Sequence, residues 1–227
     1  MNKIYTEITV DQGSPEWHRA RCGCLTASRA GVLMDGSTRA KNKLLDELEV
    51  EDLRGPRPEQ NSFIPALEWG KKHEEQARSL YNLNFPRMDS CGFFISNRYR
   101  FIGGSPDGVC RVADSSDIMG GLEIKCPYNP AVHESHRMGT IAPAYFWQIQ
   151  FNMWLLETAY WDFMSFDPRR TGDGQVHFRR FERDQSIMNR IEAEVNNWQH
   201  HRSAGTRYKD AATPLELMAA GVLPKFF

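Results

Sequence analysis

"GGSPDGVC", residues 103–110, places a carboxylate between a proline and a glycine directly after the aromatic run Tyr99-Arg100-Phe101-Ile102. Proline presets φ, aspartate hydrogen-bonds its own backbone and glycine accepts a positive φ, so a tight turn explains this triplet by itself. A second stretch, "GLEIKCP" at residues 121–127, gives it another meaning. Strand alternation puts Leu122, Ile124 and Cys126 on one face and Glu123 and Lys125 on the other. A hairpin pairing 108–113 with 121–126 then brings Asp107, Glu123 and Lys125 together. Two carboxylates are the hard oxygen ligands that Mg²⁺ takes alongside waters and phosphate oxygens. A lysine beside them can position a water for attack on phosphorus and help deprotonate it, which is the chemistry of phosphodiester hydrolysis.

The flanking segments read as alternating helices and strands. Pro65 opens the helix "PALEWGKKHEEQARSLYNL", whose inward stripe is Leu67, Gly70, Glu74, Ala77 and Tyr81. Glu74 is anomalous there, whereas Glu75 falls on the charged side with Lys71, Lys72 and Ser79. Either an i,i+4 pair with Arg78 or a role in a site accounts for it, because a buried carboxylate needs a partner or a metal. Strands are expected over 92–103 and 108–113, with 114–119 ("DSSDIM") as the hairpin loop, and again at 160–166 and 175–182. An apolar helix is expected at 141–158 and an amphipathic one at 184–200, the latter carrying Ile187, Ile191, Val195 and Trp198. Thr26-Ala27-Ser28 reads as a helix start and residues 50–62 as a surface loop. This order specifies an α/β fold, and the 227 residues are expected to form a single domain, 1–227.

With 28 basic and 29 acidic side chains, the totals show none of the bulk basicity common in nucleic-acid binders, so any basic groove has to be local. Five cysteines with no signal peptide point to reduced thiols in a cytoplasm. Cys22-x-Cys24 is a poor cluster motif, since there is no C-x-x-C and no cysteine after Cys126. No charge-free apolar run reaches about 18 residues, so no membrane span is expected. His73, His133, His136, His177, His200 and His201 lack ligand spacing and read as surface or core residues. The C-terminal "LELMAAGVLPKFF" suits either a subunit contact or docking on the chain's own core.

Pro106-Asp107 followed by Glu123-Ile124-Lys125 resembles the PD-(D/E)XK nuclease motif. The ordered segments "EWHRARCGCLTAS", "LEWGKKHEEQA", "GSPDGVC", "GLEIKCP", "AYFWQIQFNMW" and "FDPRR" with "ERDQ" are similar to those of the lambda-type (YqaJ-like) viral exonucleases, from about Glu16 to Asp184. That resemblance implies a central mixed β-sheet flanked by helices. It implies that Asp107, Glu123, the main-chain carbonyl of Ile124 and Glu74 hold two Mg²⁺ ions, with Mn²⁺ as a substitute. Lys125 would orient the water, and Tyr145 and Gln148 would support the site. Arg21, Ser28, Ser105 and Gln148 would grip a 5′-terminal phosphate; otherwise Arg21 pairs with Glu16, Ser28 caps a helix and Gln148 caps a polar helix edge. The resemblance further implies a cytoplasmic, phage-encoded homotrimer that digests the 5′-phosphorylated strand of double-stranded DNA beside a single-strand annealing protein. A structure-selective or restriction-like endonuclease and a catalytically silent DNA-binding scaffold are the alternatives. The gap between Asp107 and Glu123 is longer than usual for such enzymes, which a lengthened hairpin loop accommodates at little cost. Arg39, Lys41 and Lys43 depart in spacing and receive no role.

Overall fold

The computed structural model describes residues 3–56, 64–113, 115 and 117–209. The elements run β1 (Tyr5–Ile8), α1 (Pro15–Ala20), β2 (Leu25–Thr26), α2 (Ala30–Asp35), α3 (Thr38–Arg54) and α4 (Pro65–Asn84). Four strands follow, β3 (Phe93–Ser96), β4 (Ile102–Gly104), β5 (Gly108–Arg111) and β6 (Ile118–Lys125). The remainder is α5 (Pro130–Arg137), α6 (Pro143–Leu156), β7 (Tyr160–Phe166), β8 (Val176–Glu182) and α7 (Gln185–Ala204). The fold is the expected mixed α/β arrangement, with its strands divided into two four-stranded sheets ordered β1-β3-β4-β2 and β5-β6-β7-β8. Each sheet is mixed, because β2–β4 and β6–β7 are parallel while the other pairs are antiparallel. A parallel pair needs a long crossover, and α5 and α6 supply it between β6 and β7.

Helix α6 explains how the two sheets share a core. From Ile149 to Leu156 it is buried on every side, and Ile149, Phe151 and Met153 are fully buried. They join Phe94 of one sheet, Trp161 and Phe163 of the other, and Leu45 and Trp198 of α3 and α7 in one cluster. The opposite face of β6 and β7 carries Leu122, Ile124, Met164 and Phe166, covered by Ala77 and Tyr81 of α4. Alternation along β7 thus feeds two cores at once. Gly120 and Gly121 of β6 lie across from Tyr160 and Trp161, and a Cβ on either glycine would run into the facing ring.

Several boundaries differ from the sequence reading. Residues 92–103 form two strands, because the Ser96 hydroxyl accepts the N–H groups of Arg98 and Tyr99 and turns the chain back. Phe101 closes that turn at φ 56, a left-handed conformation costly for a bulky residue. Helix α3 runs through 50–54, extending the turn after Leu44, Leu45 and Leu48 until Gly55 stops it at φ 85. Ile118 and Met119 belong to β6 rather than to the hairpin loop, since Ile118 is buried and paired with Arg111. α1 and α5, unforeseen above, are each capped by a side chain, Ser14 and Asn129, one residue before a proline. Residues 57–62 of the expected loop and the segment 215–227 lie outside the described residues. Among the described residues no helix is long and apolar enough to cross a membrane.

Gly121→Ala is expected to destabilise the fold by about 1–3 kcal/mol through its clash with Trp161. Urea unfolding with an unchanged midpoint would show that the strand has room to spare.

Candidate active site

The chain corner at Pro106-Asp107-Gly108 is held from three sides. Gln12 Nε2 donates to the Pro106 carbonyl at 2.8 Å, and the Cys91 thiol reaches the same oxygen at 3.3 Å. Arg78 Nε donates to the Asp107 carbonyl at 2.8 Å. The Asp107 carboxylate does not close on its own turn, as the simplest reading of the triplet has it. Its Oδ2 accepts the main-chain N–H of Ile124 at 2.6 Å, across the hairpin whose register pairs Gly108 with Leu122. This contact sets Asp107 beside Glu123 and Lys125. Glu123 is fully buried; its Oε1 takes the Lys125 ammonium, and its Oε2 has no hydrogen-bond partner. The ammonium lies 4.8 Å from the centre of the Tyr145 ring.

Glu74 reaches the same place from α4. It accepts from Arg78 Nη2 at 2.8 Å, so the i,i+4 pair exists and also faces the site. The N-terminal half of the α4 stripe, Leu67 and Gly70, lines a cleft of about 660 Å³, while Ala77 and Tyr81 enter the core. Asp107, Glu123, Ile124, Lys125, Tyr145 and Gln148 line this cleft with Glu74.

Arg21, Ser28 and Ser105 line it as well. Arg21 does not pair with Glu16, which is taken by Arg19; its guanidinium instead stacks 4.1 Å from the Trp17 ring centre. Ser105 Oγ accepts from Trp17 Nε1 at 2.7 Å, and Ser28 Oγ lies 3.0 Å from Thr26 Oγ1. Ser28 caps no helix, since it sits inside the short 3₁₀ turn Ala27–Arg29 that precedes α2. The sequence reading missed Trp17 and Arg78 as parts of this site. An aromatic four residues before Arg21 was the available signal for Trp17. For Arg78 there was only the helical pair with Glu74, because its reach to the Asp107 carbonyl depends on how α4 packs. Lys41 pairs with Glu194 of α7 at 3.0 Å, which ties two helices together outside the cleft. His133 and His136 are buried and share Ser165, as core residues.

The electrostatics of the cleft follow from burial of three carboxylates. Burial and then Asp107 push Glu123 up to about 8, against the pull of Lys125. Burial and Asp107 likewise raise Glu74 to about 7, opposed by Arg78 and Lys125. Asp107 is raised by burial, against Lys125, the Ile124 N–H and Arg78. Burial works against the Lys125 charge, but Glu123 and Asp107 outweigh it and hold the ammonium above the ordinary lysine range. Burial, then Arg29, lowers Arg21. Among the described residues no group of three or more His, Cys, Asp or Glu is arranged to hold a metal ion. What the cleft presents is a smaller set: the corner carboxylate Asp107, the strand carboxylate Glu123 with an unpartnered buried oxygen, and a third from α4. Such a set fits a hard divalent cation of the Mg²⁺ type, which takes one or two carboxylates and fills its remaining positions with water and phosphate.

Comparison with known proteins gives the family and the fold. Residues 16–160 match the YqaJ-like viral recombinase domain. An uncharacterised protein, R354, of Acanthamoeba polyphaga mimivirus is 28% identical over 163 residues, 68% of this chain; the match spans 29% of the viral protein. The crystal structure of an alkaline exonuclease from Laribacter hongkongensis, LHK-Exo, superposes with a TM-score of 0.73 and 29% identity, over 92% of this chain and 100% of that one. Its complex with dAMP matches equally. A phage-related exonuclease from Haemophilus somnus 129PT shares the fold at 17% identity and a TM-score of 0.53, over 88% of this chain and 95% of its own.

Carboxylates raised in the folded chain bind protons that the unfolded chain has already released. The stability that these two groups contribute to the metal-free protein is therefore full below the ordinary carboxylate value of about 4.3 and is lost as pH rises through about 7 and about 8. The urea midpoint in EDTA is expected to fall between about pH 5 and about pH 8.5, and Glu123→Gln to flatten that fall. A midpoint rising with pH over this range would contradict the burial of these groups.

Proposed function

The chain belongs to the YqaJ-like viral recombinase domain family, and on that footing we propose that it is a DNA exonuclease, working as one nuclease domain over residues 1–227. It digests the 5′-phosphorylated strand of double-stranded DNA in the 5′-to-3′ direction and leaves 3′ single-stranded tails. The observation that supports this most is the meeting of Asp107, Glu123 and Lys125 at the open end of the β5–β6 hairpin. Beside them the cleft carries Arg21, Ser28 and Ser105, a cationic and hydroxyl-bearing wall suited to a terminal phosphate.

Asp107, Glu123, the Ile124 carbonyl and Glu74 are the residues that would hold divalent ions, two Mg²⁺ with Mn²⁺ as a substitute. Bound there, the ions supply neutralisation of the charge that builds on the phosphate oxygens. Lys125 would orient the attacking water toward phosphorus and help to deprotonate it. The Tyr145 ring beneath the ammonium limits where it can point. Gln148, one helical turn along α6, offers an amide donor to the scissile or terminal phosphate. Arg21 keeps its charge at every working pH and can grip the 5′-phosphate through two N–H groups, its plane set by Trp17. Ser28 and Ser105 add hydroxyl donors to that grip. Contacts confined to the phosphate backbone make cleavage insensitive to sequence and binding sensitive to salt. We assign the chain a homotrimeric assembly and a single-strand annealing protein as its partner, by the family resemblance.

End-labelled linear duplex is expected to be degraded faster from 5′-phosphate than from 5′-hydroxyl ends, and covalently closed circles to stay intact. Cleaved circles would favour an endonuclease. Lys125→Ala should lower turnover by about 10²–10³-fold while DNA binding persists; wild-type turnover in that variant would remove Lys125 from the chemistry. Arg21→Ala should erase the difference between the two kinds of end, with a light-scattering mass of three chains in both proteins. A monomeric mass would overturn the assembly.

A further inference from the structure

We propose that Arg78 is a positioning residue, a strut that fixes the Glu74 carboxylate on α4 relative to the Asp107 corner and so sets the spacing of the metal-holding groups. The inference rests on reading Asp107 and Glu74 as metal ligands. All three guanidinium nitrogens are engaged: Nε with the Asp107 carbonyl at 2.8 Å, Nη2 with Glu74 at 2.8 Å, and Nη1 with Glu75. The side chain is 13% exposed, and its bonds to Asp107 and Glu74 are part-buried, whereas Glu75 is an exposed partner. Beyond Ala77, α4 is fixed by its packing on β6 and β7; one turn earlier its inner face lines the cleft, while Trp69 holds its flank against Tyr128 and Arg169. Glu74 sits in that cleft-facing turn, and Asp107 belongs to a corner far away in sequence. The Arg78 fork connects them directly. A guanidinium can hold two acceptors at a fixed angle, whereas a lysine ammonium supplies the same charge without that geometry.

The test measures metal and catalysis separately. Mn²⁺ is titrated into the full-length protein without DNA, with free Mn²⁺ followed by electron paramagnetic resonance; turnover on 5′-phosphorylated duplex is measured beside it. Residues that hold a metal ligand in place are worth about 10–100-fold in affinity or activity. Arg78→Ala is therefore expected to weaken Mn²⁺ binding and lower kcat within that range, with the KM for DNA nearly unchanged. Arg78→Lys, which keeps the charge, should recover less than half of the loss on a logarithmic scale. Should Arg78→Ala fail to fold, Arg78→Lys decides alone: a folded lysine variant with wild-type Mn²⁺ affinity and kcat overturns the strut. Wild-type protein that binds Mn²⁺ yet cleaves no DNA overturns the exonuclease reading, and a weakened Arg78→Ala would still support the strut. Wild-type protein that binds no Mn²⁺ overturns both.

Discussion

A carboxylate that accepts a main-chain N–H from the neighbouring strand cannot move without leaving that N–H unpaired. Asp107 is in that position, bonded to the Ile124 N–H at 2.6 Å. A charge-assisted bond of this kind is stronger than a neutral one, and here it also transmits the register of β5 and β6 to the cleft. Glu123 and Lys125 follow from the same register, since both project from the face of β6 opposite Leu122 and Ile124. The acidic corner, the buried carboxylate and the ammonium are therefore consequences of a single strand pairing. Arg78 and Gln12 then hold the two consecutive carbonyls of that corner, those of Asp107 and Pro106.

The hairpin was legible because its signals are local. A Pro-Asp-Gly corner and a strand of period two need no knowledge of the rest of the chain. Glu74 was legible for the opposite reason, as a charge that breaks an apolar stripe. What stayed hidden depends on distant pairings. Leu25 and Thr26 of β2 pair with β4 across more than seventy residues, which no window of sequence reveals, so the division into two sheets could not be read. The stacking of Arg21 on Trp17 is a local contact, but its use depends on Ser105 arriving from another sheet corner. The helical ending of α3 was obscured by charge and proline nearby, which look like a loop even where Leu44, Leu45 and Leu48 keep the period going.

The loop leaving β6 shows how much of the structure serves to hold the cleft still. Arg169 is clamped by the buried Asp167 through Nε at 2.7 Å and Nη2 at 3.0 Å. Its remaining donors reach the carbonyls of Pro127 and Tyr128, and its plane lies 4.6 Å from the ring centre of Trp69 on α4. One arginine thus connects the chain after β7, the chain after Lys125 and the helix that carries Glu74. The "FDPRR" segment, distant from the cleft in sequence, acts as its buttress.

Side-chain alternation on β6 also governs how such a chain can diverge. An added or deleted residue inside Ile118–Leu122 would exchange the two faces of the strand, turning Glu123 and Lys125 toward Tyr81 and sending Leu122 and Ile124 into the cleft. The connection between Arg111 and Ile118 lies beyond the strands, where the Val112 N–H donates to the Asp117 carbonyl at 2.9 Å, so a change of length there leaves the alternation of β6 intact. Length variation among descendants of this sequence is thereby channelled to the hairpin tip, and the strand itself can change only by substitution.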